Sequence, residues 1–156
     1  CEYLNITKEQ ELEAVHAVYD DQAFWEQDPM PDAVEQVPIL AKHFRLVAVT
    51  QRPARIRHLT DEWLNLHFPG PFYDLIFVGL TGTAEFTRSK LEYARDHNAV
   101  GLVDDRANHL AGCHEAGIQG FLRSHPWNKD IPDHSDFVRV ADLGDVVAHL
   151  LPSLVA

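Results

Sequence analysis

Short apolar runs that alternate with helical patterns constrain this chain more than any other feature. Residues 45–50, 75–78, 99–103, 119–122 and 137–140 are runs of four to six residues, rich in Val, Leu, Ile and Phe. Helical patterns occupy residues 7–25, 32–43, 54–67, 87–97, 106–116 and 142–151 around and between them. Strands this short and this continuously apolar are of the kind buried on both faces. Their alternation with helices predicts an α/β fold, a parallel sheet flanked by helices. Local signals fit the helices. Thr7 and Gln10 have capping-box spacing, and Leu12, Val15, His16 and Tyr19 share one face. Pro38 is expected to kink the second helix. Pro69-Gly70-Pro71 and Gly117 are breakers, and Asp142 is placed to cap the last helix.

Length and charge bound the rest. A chain of 156 residues suits one domain with a substantial core. No apolar run approaches the roughly 20 residues of a membrane span, and no leader-like segment opens the chain. The net charge of −11, from 13 basic and 24 acidic residues, gives nucleic acid no basic patch. A small phosphorylated ligand remains compatible, because one metal ion and one lysine reverse the local sign. The two cysteines, Cys1 and Cys113, form no disulfide framework, so a cytoplasmic setting is expected. Oligomeric state is left open.

In parallel α/β sheets the chemistry sits at the carboxyl ends of the strands. Here those ends carry Thr50-Gln51-Arg52-Pro53, then Gly79-Leu80-Thr81-Gly82-Thr83, then Asp104-Asp105-Arg106, then the stretch from Arg123 to Asn128. Lys90 opens the helix before the third strand. A threonine with the following backbone N–H groups can bind phosphate oxygens. A lysine places a charge against a transferring phosphoryl group, and adjacent carboxylates suit one Mg²⁺. Each has an ordinary alternative as well: a turn threonine, a solvated lysine, and an Asp pair that caps the next helix. The ordered set is far more specific than any member.

These residues resemble the haloacid dehalogenase-like (HAD) hydrolase superfamily. Thr50 in Val47-Ala-Val-Thr-Gln-Arg-Pro53 resembles its motif II, Lys90 in Arg88-Ser-Lys-Leu-Glu92 its motif III, and Val103-Asp-Asp-Arg106 its motif IV. Pro29-Met-Pro-Asp-Ala-Val34 resembles the return from a helical cap. Ala116-Gly-Ile-Gln-Gly120 and Ser124-His-Pro-Trp-Asn-Lys-Asp130 resemble the 5′(3′)-deoxyribonucleotidase-like subgroup. The resemblance covers residues 28–151. It implies a Rossmann-like core at residues 29–156, preceded by a cap-type helical segment at 1–28. It also implies Mg²⁺-dependent hydrolysis of a phosphomonoester, with a 5′-nucleotide as a candidate substrate. Thr50 and Lys90 would be catalytic, and Asp104 and Asp105 would hold the metal. Thr50, Gln51, Arg52, Lys90, Trp127 and Asn128 would contact substrate.

One departure is large. Motif I, an apolar strand ending in Asp-x-Asp whose first Asp is the family's nucleophile, is absent from these 156 residues. Asp20-Asp21 is adjacent rather than spaced and lies in a helical pattern. The expectation is therefore a motif I strand upstream of Cys1, and without it two strands expose edges or pair anew. The rival function is a HAD-like domain that binds Mg²⁺, a phosphorylated ligand or a protein without turnover. A phospho-receiver domain fails on order, because there the acids come first and the lysine last. His109, Cys113 and His114 could be zinc ligands, but ordinary helix residues are the simpler expectation.

Overall fold

The computed structural model describes residues 7–80 and 83–152. Cys1, Thr81 and Gly82 lie outside them. The chain is α/β. Helices α1 (Lys8–Asp20), α2 (Gln22–Trp25) and α3 (Pro31–Ala41) precede strand β1 (Leu46–Thr50). A 3₁₀ turn (Ala54–Ile56) leads into α4 (Arg57–His67), then β2 (Phe72–Phe77) and α5 (Lys90–Asp96). β3 (Gly101–Asp104), α6 (Ala107–Leu110), β4 (Gln119–Arg123), β5 (Val138–Val140) and α7 (Leu143–Leu150) complete the order. None of these helices is long and apolar enough to cross a membrane.

The expected single parallel sheet is divided in two. β1 pairs with β2, and separately β3 pairs with β4 and β4 with β5, all parallel. β1 and β3 do not pair with each other, so among the described residues each keeps one edge without a strand partner. The three-stranded sheet is covered on both faces. Successive residues of a strand point to opposite sides. Leu122 of β4 joins Leu91, Leu110, Cys113 and Ile118 under α5 and α6, whereas its neighbour Phe121 packs with Val140 and Val146 under α7. Gly120 is required there, since a Cβ would meet the Asp136 carbonyl oxygen at 2.1 Å.

Two helices differ from expectation for local reasons. The first is cut at Asp21, whose carboxylate accepts from Ala23 N at 3.0 Å and so caps α2 as a new helix. The helix expected over 106–116 is one turn: Ala111 leaves helical geometry at ψ 123°, and the chain passes into turns through Gly112 at φ +88°. Pro38, by contrast, does not end α3, which runs on to Ala41 with Val37 and Leu40 buried.

Asp32 ties the two halves of the chain together. It lies in the first turn of α3, where a carboxylate complements the helix dipole. Oδ1 accepts from Arg123 Nη2 at the end of β4, and Oδ2 from the Leu143 N–H at the start of α7, both at 2.9 Å. Burial alone would raise its pKa, but these partners hold it below the usual carboxylate value. Asp32→Ala is expected to cost about 2 kcal/mol in urea unfolding at pH 7, as for hydrogen bonds to a charged group. Because the folded pKa is depressed, this contribution is present above about pH 4 and disappears as the pH falls through the folded value. The variant and the parent should therefore converge in stability in acid.

Candidate active site

The carboxyl ends of β1 and β3 open into one pocket of about 330 Å³. Thr50, Gln51 and Arg52 line it from β1, Lys90 from the start of α5, and Asp105, Arg106 and His109 from the segment after β3. The apolar stripe of α1 that includes Leu12, Val15 and Tyr19 forms another wall. Three basic side chains, Arg52, Lys90 and Arg106, meet two acidic ones, Glu85 and Asp105, around this pocket. With Asp104 paired to Lys90 behind it, the site is locally balanced where the chain as a whole is acidic.

Asp104 is the electrostatic centre. Its side chain is only 2% exposed, at the end of β3. Lys90 Nζ lies 2.6 Å from Oδ2. His109 Nδ1 and the Arg106 N–H each lie 2.9 Å from Oδ1. Burial pushes the carboxyl pKa up, but the His109 hydrogen bond and the Lys90 charge outweigh it and hold it well below the usual range. Lys90 is placed here by its helix. Ser89 caps α5 with Glu92 in a capping box, which fixes the turn from which Lys90 projects.

Asp105 lines the pocket, and its Oδ2 accepts from Trp127 Nε1 at 3.1 Å. Asp104 and Asp105 are hard oxygen donors on adjacent residues, the set Mg²⁺ accepts when water and substrate complete its shell. In donor type they fit that ion. Among the described residues no group of three or more His, Cys, Asp or Glu could hold a metal. The zinc candidates do not converge. His109 turns to Asp104, while Cys113 is buried in the apolar cluster, its thiol raised to about 11 by burial and then by the Asp136 charge. The helical spacing they were assumed to share is lost where α6 ends at Leu110.

Thr50 accepts from the Arg52 N–H at 3.2 Å, closing a turn that presents Gln51 and Arg52 to the pocket. Arg52 is anchored rather than free to steer ligands. Its guanidinium donates to Thr60 Oγ1 at 3.3 Å. It also sits 5.2–5.9 Å from the ring centres of Tyr19, Phe24 and Trp25. One arginine thus holds α1 and α2 against the end of β1. Arg55 to Asp20 (2.7 Å) and Trp63 Nε1 to the Gln27 carbonyl (2.9 Å) add to that hold. Asp20 and Asp21 are accordingly occupied by an ion pair and a helix cap.

Trp127 and Asn128 are not among the residues that line the pocket. Trp127 stacks on His125 with ring centres 4.2 Å apart. Asn128 is 1% exposed and its amide is spent on the backbone. It donates to the carbonyls of Asp105 (2.8 Å) and Arg123 (2.7 Å) and accepts from the His125 N–H (2.9 Å). These bonds hold the loops after β3 and β4 together. His109 and Glu85 line the pocket without having been assigned to it from sequence. A histidine five residues after Asp104 is the sequence signal for His109.

No family model matches the chain, and no curated protein matches it.

Proposed function

We propose that this chain carries part of a HAD-like, Mg²⁺-dependent phosphomonoesterase site on a Rossmann-like core. In this proposal α1 and α2 are the remnant of a helical cap, and the aspartate nucleophile lies outside the described residues. One observation carries it: Lys90 and Asp104, 14 positions apart, meet at 2.6 Å beside the pocket that Thr50 and Asp105 line. The order Thr, Lys, Asp-Asp along the chain agrees with the resemblance described above.

The roles follow from position. The Thr50 hydroxyl, whose oxygen accepts from the Arg52 N–H and whose proton remains to donate, would bind a phosphoryl oxygen. Lys90 would place its charge on the oxygens that gain charge in the transition state, and Asp104 holds the lysine for that task. Asp104 and Asp105 would hold Mg²⁺, which when bound neutralises phosphate charge as a Lewis acid. The α1 stripe would meet the non-phosphate part of a small phosphorylated molecule, a nucleotide among them, and Tyr19 offers that part an aromatic face.

The test is binding of inorganic phosphate to the 156-residue chain, with and without Mg²⁺, followed by calorimetry. Phosphate should bind with Mg²⁺, and Lys90→Gln should weaken it about 10- to 100-fold, the value of a charge-assisted hydrogen bond. Binding that is absent, or indifferent to Lys90→Gln and Asp105→Asn, overturns the proposal. Rapid, EDTA-sensitive phosphate release from a phosphomonoester would show that the nucleophile is already within the chain.

A domain that binds without turnover is favoured by one observation. Among the described residues, the carboxylates at this pocket are Glu85 and Asp105, with Asp104 behind Lys90. Glu85 accepts from the Ala54 N–H at 3.3 Å, and Asp104 is already in contact with three donors. Phosphate binding without turnover in any longer form carrying an added Asp-x-Asp strand would decide for that second function.

A further inference from the structure

We propose that His109 is a nucleophile in its own right: its Nε2 accepts a phosphoryl group from a small acyl phosphate, so that the chain carries a phosphohistidine.

The ring is held for that task. His109 Nδ1 lies 2.9 Å from Asp104 Oδ1, and the two side chains are 11% and 2% exposed. An ionised carboxylate only accepts, so the hydrogen sits on Nδ1 and the lone pair on Nε2. Asp104 is itself fixed from two other directions, by Lys90 Nζ and the Arg106 N–H. An imidazole oriented through one nitrogen by a buried carboxylate presents the other nitrogen for attack.

That second nitrogen is the open end of the ring. No described residue bonds Nε2, and among the described residues no buried side-chain nitrogen or oxygen lacks a hydrogen-bond partner. Nε2 is therefore not sealed in protein, and the space His109 lines is the pocket of about 330 Å³. Lys90 also lines that pocket, but its ammonium is committed to the ion pair with Asp104. Arg52 is anchored on Thr60 and the α1 and α2 rings. Arg106, exposed and without an ion pair among the described residues, is the cation available to meet an incoming phosphate.

The step balances without a further reactant. The Nε2 lone pair attacks phosphorus, an Nε2–P bond forms, and the bond from phosphorus to the acyl oxygen breaks. The leaving carboxylate takes that electron pair and needs no proton. Nδ1 keeps its hydrogen, so the ring becomes cationic, and the Asp104 charge at 2.9 Å stabilises it. An alkyl phosphate would have to expel an alkoxide, a far poorer leaving group, which is why the donor class is an acyl phosphate. This chemistry stands apart from the phosphatase proposal, which needs Mg²⁺ and an aspartate nucleophile.

The experiment incubates the full 156-residue chain with acetyl phosphate in mildly alkaline buffer containing EDTA, so that Mg²⁺-dependent chemistry is silent. The intact mass should rise by one phosphoryl group, and peptide mapping should place it on His109. The adduct should survive base and hydroxylamine and be lost in acid, as a phosphorus–nitrogen bond is. The chain unfolded in urea should be labelled at least about tenfold more slowly, because the ring is no longer oriented. Asp104→Asn should slow labelling of the folded chain by about 10- to 100-fold, and His109→Gln should abolish it. Mapping is done on the parent chain, so the result does not depend on how either variant folds. No labelling at millimolar acetyl phosphate overturns the proposal, as does a phosphoryl group on another histidine or equal labelling in urea. An adduct removed by hydroxylamine is a phosphoaspartate and overturns it equally. None of these outcomes bears on Mg²⁺-dependent phosphate binding, which is measured separately.

Discussion

Asp104→Ala should lower the free energy of unfolding by about 3–5 kcal/mol, the cost of leaving one partner of a buried ion pair behind. The Lys90 side chain is 16% exposed and that of His109 is 11% exposed, so neither can fully regain water when the carboxylate is gone. The Arg106 N–H loses its acceptor as well. Urea unfolding at pH 7 measures the loss. Asp104→Asn keeps the shape and one acceptor and should cost less, while abolishing Mg²⁺-dependent phosphate binding. The pH dependence has a definite sign. The folded carboxyl is held below its ordinary value. Its stabilisation is thus complete above about pH 4, the unfolded value, and fades as the pH falls through the folded one. The difference between parent and Asp104→Ala should shrink over that acid range. A constant difference down to pH 2 would mean that packing, not charge, holds this residue.

Asn128→Ala should cost about 2–4 kcal/mol, since each buried backbone group left without a partner costs about 1–3. The Asp105 and Arg123 carbonyls lose a donor and the His125 N–H loses an acceptor. Asn128→Asp should be worse, because a carboxylate would then face two carbonyl oxygens. Amide exchange at His125 reports the same event locally, and it should accelerate in both variants. If Asn128 instead touched a ligand, stability would be unchanged and only phosphate binding would fall.

Much of the architecture is legible in the sequence, and what escapes has physical causes. The strands were visible because each contains a short run rich in apolar residues, and the caps at Thr7 and Asp142 because their side chains bond the backbone locally. The division into two sheets agrees with the expectation that two strands expose edges without a motif I strand, although apolar runs identify strands and not partners, so which strands pair was not legible. β2 begins at Phe72, earlier than its apolar centre, because Phe72-Tyr73-Asp74 gains its strand conformation from pairing with β1. The cut at Asp21 hides under an unbroken apolar period. At the site, Thr50, Lys90, Asp104 and Asp105 were accessible through residue type and order. The two backbone carbonyls that the Asn128 amide bonds are not visible in sequence, which cannot distinguish an amide facing a ligand from one facing the main chain. Asp32 gave no signal beyond a helix start, as its partners lie 91 and 111 positions away.

Those separations have a consequence for the order in which the molecule is made. The contacts of α3 with α7 and with the end of β4 are among the most distant in the chain. During synthesis at about 5–20 residues per second, Leu143 follows Asp32 by roughly 5–20 s. Throughout that interval the apolar face of α3, with Val37 and Leu40, has no α7 to cover it. The docking of α3 onto α7 is therefore a late event, open only once nearly the whole chain has been made.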